Sequence, residues 1–150
     1  MKTGTVDARI MNQRILWIRL MLQSIRDLPL THKEEFLSER HLPAAAESYL
    51  RRALEALFDL SRHILAKRFS CVASEYKDIA DKLHRFGVLD GDEAGLMRKM
   101  AGYRNRMVHL YHEISSEELF DICANHIGEI ELVTDQILAW VQKTERKDFR

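Results

Sequence analysis

The stretch His41–Arg68, HLPAAAESYLRRALEALFDLSRHILAKR, decides the fold. Leu50, Leu54, Leu57, Ser61, Ile64 and Leu65 recur at the three-and-four spacing that draws one apolar line down a helix. Pro43 stands near the first turn, where its missing N–H leaves no intrahelical bond unmade, and the pattern runs on to about Phe69. The opposite face carries Arg52, Glu55, Asp59 and His63, with Asp59 and His63 four apart and able to pair.

Outward from this segment the same period recurs. Val6 to Leu28 reads as a helix with Ile10, Trp17, Met21, Ile25 and Leu28 on one stripe and Ile15, Ile18 and Leu22 on a second. So broad an apolar face needs cover on two sides, from a bundle neighbour and a second subunit. Thr31 to Glu39 makes a short helix, with Thr31 as N-cap, Glu34 closing a capping box, and Phe36 and Leu37 as anchors. Ser74 to Phe86 is a further helix stopped by Gly87. After a turn with Asp90 or Asp92 as N-cap comes a helix from Glu93 to His112, in which Gly95 and Gly102 suggest close helix approach. Ser115 and Glu118 cap a last helix, whose Leu119, Ile122, Cys123, His126, Ile130, Val133, Ile137 and Val141 keep one register. That register makes His126 a satisfied core histidine, and the tail TERKDFR breaks the pattern and is expected to be mobile. The expectation is one all-α domain spanning 1–150, an up-and-down bundle of four to five helices.

Composition narrows the function. Lys and Arg total 23 and Asp and Glu total 23, so no overall positive field draws the chain onto RNA or an anionic membrane, and any nucleic-acid site must be local. No apolar run is long enough to span a membrane. Cys71 and Cys123 have a spacing that suits neither zinc nor redox chemistry, and with no secretory-type leader both are expected to be reduced in a soluble, cytoplasmic protein. No glycine-rich phosphate loop precedes a helix, and no cofactor is expected.

Chemistry concentrates in RNRMVHLYHEI, Arg104–Ile114. On a helical wheel Leu96, Met100, Tyr103, Met107 and Leu110 fall within about 40° of one line, the core stripe. Arg104 and Tyr111 lie on its shoulder, and Asn105, His109 and His112 face away from it. Asn105 and His109 are four apart, so the amide can hydrogen-bond the imidazole. Arg104 and His109 are five apart and diverge by about 140° on an ideal helix, which a groove between two copies would overcome. The segment therefore suggests a homodimer. His109, His112 and Glu113 match no zinc spacing, and no metal is expected.

Arg104, Asn105, His109 and Tyr111 resemble the Arg-Asn-x-x-x-His-x-Tyr motif of the HepT toxins, a branch of the HEPN-domain ribonucleases. Asp59, His63 and Ile64 are similar to the Asp-x-x-x-His-Ile element of that family's long second helix, and the similarity covers nearly the whole chain. Leu110 departs from the small residue frequent at its position. The resemblance implies a HEPN-like fold and a metal-independent endoribonuclease, with tRNA among its candidate substrates. It also implies the toxin half of a type VII toxin–antitoxin pair, silenced when an MNT-type nucleotidyltransferase antitoxin transfers AMP to Tyr111. The chemistry would be attack of a ribose 2′-hydroxyl on the adjacent phosphate, with His109 as base and Arg104 holding the phosphorane charge. Asn105 would orient His109 or bind a phosphate oxygen, Asp59 and His63 would support the groove, and Lys99 and Arg106 would hold the RNA backbone. The products would be a 2′,3′-cyclic phosphate and a free 5′-hydroxyl. The alternative is an inactive HEPN module that binds and assists a nucleotidyltransferase.

Overall fold

Helix α3 (His41–Phe69) is the axis of the protein, and every other helix packs on it. The structure, a computed structural model, describes residues 4–109 and 114–148, with side chains to residue 145. Around α3 stand α1 (Ala8–Arg26), α2 (Lys33–Ser38), α4 (Tyr76–Arg85), α5 (Gly91–Val108), α6 (Ser116–Asn125) and α7 (Ile127–Asp148). The described residues hold no strand, so the all-α expectation stands, with seven helices in place of four to five.

The six apolar positions read along α3 are all buried, and Ser61 among them satisfies its hydroxyl on the Leu57 carbonyl at 2.8 Å. Ser70, in left-handed backbone at φ 47°, stops this helix, and Gly87, at φ 80°, follows α4 as expected of a residue free of the Cβ penalty. Asp90 caps α5 through a full capping box with Glu93, at 2.8 and 2.9 Å.

Several expectations need correction. Trp17 is not core: the buried line of α1 is Met11, Ile15, Ile18, Met21, Leu22 and Ile25. Leu16, Trp17 and Leu20 instead stand 68, 40 and 54% exposed. Thr31 does not cap α2, because its hydroxyl is bonded to the His32 ring at 2.9 Å. Gly95 and Gly102 permit no unusual approach, since a Cβ at either meets nothing closer than 3.9 Å. The last helix breaks at His126, whose ring is one-third exposed and lies 2.8 Å from a Glu129 oxygen and 3.3 Å from an Asp121 oxygen, so it is not a core histidine. Beyond the break α7 runs through the predicted tail to Asp148, with Glu145 accepting the Val6 N–H at 2.7 Å.

Candidate active site

Helix α5 ends at Val108, and that ending builds the site. His109 is its C-cap, in extended backbone at φ −98° and ψ 119°, and its N–H closes the last turn on the Asn105 carbonyl at 3.1 Å. The expected hydrogen bond between the Asn105 amide and the His109 ring is not made among the described residues; the two are joined only through backbone. Because His109 has left the helix, the 140° divergence of an ideal wheel no longer applies. Arg104, Asn105 and His109 line one cleft of a single chain, of about 600 Å³. The geometric reason for requiring a second copy is thereby withdrawn.

The facing wall comes from the end of α3 and the start of α4: Arg62, Ser74, Glu75, Tyr76 and Lys77. Only a short connection separates α3 from α4, so the first turn of α4 folds back beside Arg62. Phe58 and Arg62, one turn apart, both meet Tyr76. The Phe58 ring stacks on it at 4.6 Å with the planes 3° apart, and the Arg62 guanidinium lies 5.1 Å from its centroid while donating to the Ser74 carbonyl at 2.9 Å. The Arg104 guanidinium lies 4.5 Å from the same centroid. It forms no ion pair among the described residues, and its buried Nε has no hydrogen-bond partner. Leaving such a donor unmet costs on the order of 1–3 kcal/mol, which the ring offsets only in part. The cleft thus holds three permanent cations, Arg62, Lys77 and Arg104, against the single carboxylate of Glu75. In a chain of zero formal net charge this is a local positive site.

Other residues singled out from the sequence are placed elsewhere. Asp59 faces α1, lining a smaller hollow with Arg14, Trp17 and Arg52. His63 accepts the Asp7 N–H through Nε2 at 3.1 Å, which fixes the start of α1, and burial together with nearby Lys67 lowers its pKa. Neither lines the cleft, because they sit on the flank of α3 turned toward α1. Lys99 is held by Glu129 at 2.6 Å, and Arg106 is gripped by both Glu118 oxygens at 2.6 and 2.7 Å. Neither cation is in the cleft, since both lie on the side of α5 turned to α6 and α7. Tyr111, His112 and Glu113 lie outside the described residues. Among the described residues no group of three His, Cys, Asp or Glu side chains could hold a metal ion.

The wall from Arg62 to Lys77 escaped sequence reading. Its one local signal was the Phe58–Arg62 spacing, which suits a ring-and-guanidinium pair but does not name its partner.

The family model described as Ribonuclease HepT-like matches residues 18–137. The chain belongs to that family. A curated relative, the tRNA nuclease HepT of Aphanizomenon flos-aquae (strain 2012/KM1/D3), is 22% identical over 143 residues, which are 95% of this chain and 97% of the relative. Among solved structures, the chain is similar to the tri-AMPylated HEPN toxin of Shewanella oneidensis in complex with its MNT antitoxin. That similarity has a TM-score of 0.79 at 22% identity and covers 87% of this chain and 97% of that one. A cytosolic protein of unknown function from Bacillus subtilis matches with a TM-score of 0.77 at 18% identity, over 96% and 95% of the two chains. These likenesses establish the HEPN fold for the HepT-like chain. No helix among its described residues is long and apolar enough to cross a membrane.

Proposed function

We propose that this HepT-like protein is a cytoplasmic endoribonuclease toxin that cleaves RNA without a metal, through 2′-hydroxyl attack on the adjacent phosphate. The observation that carries this reading is the Arg104 guanidinium, in one cleft with Asn105 and His109, with no ion pair among the described residues and with a buried Nε that lacks an acceptor there. The guanidinium fork is matched in shape and charge to phosphate oxygens. His109 takes the 2′-hydroxyl proton as the new P–O bond forms, and the 5′-oxygen leaves and is protonated. The products are a 2′,3′-cyclic phosphate and a 5′-hydroxyl. Expression of the chain alone should arrest growth, and Arg104→Ala and His109→Ala should each abolish the arrest; equal toxicity of all three proteins rules the mechanism out.

The partner in this reading is an MNT-type nucleotidyltransferase antitoxin that adds AMP to Tyr111, two residues past His109. Support comes from the AMPylated toxin–antitoxin complex among the similar structures. A phosphate ester added two residues along the chain from a cleft-lining histidine would introduce negative charge that competes with substrate phosphate. Mass spectrometry after co-expression with the cognate nucleotidyltransferase should find AMP on Tyr111; modification elsewhere rejects this step.

The homodimer now rests on α1, whose Leu16, Trp17 and Leu20 form an exposed apolar face. Beside it Arg14 and Arg52 adjoin Asp59, so the rim carries charges of both signs, which a two-fold interface between copies can pair. Sedimentation of a Leu16→Glu/Leu20→Glu variant should return the monomer; a wild-type chain that is monomeric at micromolar concentration overturns the dimer.

A further inference from the structure

We infer that Arg62 and Lys77 form a second phosphate subsite, so that the cleft grips a single RNA strand at the phosphate beside the one held by Arg104. This rests on the nuclease reading and deepens it, by assigning the groups that hold the strand. Three observations lead to it.

First, the cations expected to carry the strand are committed elsewhere. Lys99 and Arg106 are each closed by a carboxylate on the far side of α5. Second, the wall opposite the motif supplies replacements. Arg62 forms no ion pair among the described residues and is fixed by the Ser74 carbonyl and the Tyr76 ring. Lys77 is exposed and forms no ion pair among the described residues either. Third, Arg62 and Arg104 share one ring. Both lie within 5.1 Å of the Tyr76 centroid, so the position of one guanidinium constrains the other.

The same ring limits what the subsite can read. Tyr76 is covered by Phe58 and approached by two guanidiniums, so it is not free to stack on a base. Recognition along this wall is therefore of backbone charge, with little dependence on sequence.

The test is salt-dependent binding of a fluorescein-labelled single-stranded RNA of about twelve nucleotides, read by anisotropy with His109→Ala present throughout to prevent turnover. Each phosphate contact contributes about 0.7 to the slope of log affinity against log salt. The pair Arg62→Gln/Lys77→Ala should make that slope shallower by about 1.4, equivalent to about sevenfold less affinity lost between about 50 and about 200 mM salt. Gln at position 62 keeps a donor for the Ser74 carbonyl. If the double variant melts early, Lys77→Ala alone should show about half the change in slope. Lys99→Ala/Arg106→Ala should leave the slope unchanged. An unaltered slope for the Arg62 and Lys77 variants, with binding still weakened by Arg104→Ala, overturns the second subsite and spares the nuclease reading. RNA binding indifferent to Arg104→Ala, or absent altogether, overturns both.

Discussion

Arg104 and Arg106 stand two residues apart on one helix and have opposite fates. Arg106 is closed by a bidentate ion pair with Glu118, at 2.6 and 2.7 Å, which ties α5 to α6. Arg104 turns to the other side, rests on Tyr76 at 4.5 Å, meets no carboxylate among the described residues, and leaves a buried Nε unmet. The difference separates an arginine that holds structure from one that the proposed function assigns to a phosphate. Sequence distance and side-chain type are the same for both. What separates them is the neighbour each helix face meets.

Replacing each by lysine tests that contrast most severely. Arg104→Lys removes the planar fork and should lower the cleavage rate by roughly 10²-fold or more, with little change in melting temperature. Arg106→Lys should leave the rate within about threefold and lower the melting temperature by no more than about 4 °C, because the pair it weakens is only partly buried. A reversal of these two outcomes breaks the comparison.

Tyr76 sharpens it. As a positioning residue it acts only through the guanidiniums it carries, so Tyr76→Leu should reduce kcat about fivefold, and Tyr76→Phe should restore it by returning the ring. Loss of stability in Tyr76→Leu with kcat intact would reduce the ring to packing.

The smallest effect is a pH dependence confined to the Arg106 side. The hydrogen bond from Arg106 holds the Glu118 carboxyl below its ordinary value of 4.5. A carboxyl lowered on folding contributes stability that is complete above the ordinary value and is lost as pH falls through the lowered one. The melting temperature of wild type should therefore exceed that of Glu118→Gln at neutral pH, and the gap should narrow once pH drops below 4.5. A constant gap across that range contradicts the ion pair's role.

Helix identity was legible because each helix buries one face, and the periodic lines of α3 and α7 record that burial directly. Boundaries were less legible where a side-chain bond outside the periodic pattern decides them. His126, on the apolar register, sits where the last helix breaks and turns its ring to two carboxylates instead of the core. The motif could be read as a sequence pattern, with Arg104 and His109 expected to meet only between two copies. How they converge could not, since that depends on α5 stopping at Val108, four residues before the expected end. Asp59 and His63 looked equivalent to groove residues because an isolated helix does not reveal which flank meets α1. Arg62, one position from His63, belongs to the cleft for the same reason.

The most direct measurement is end-group analysis of RNA incubated with purified protein in the presence of a metal chelator. Wild type and Arg106→Ala should give fragments ending in a 2′,3′-cyclic phosphate, and Arg104→Ala and His109→Ala should leave the RNA intact. Cyclic phosphate ends persisting in both of the latter variants, or fragments bearing 5′-phosphates from wild type, would contradict the mechanism.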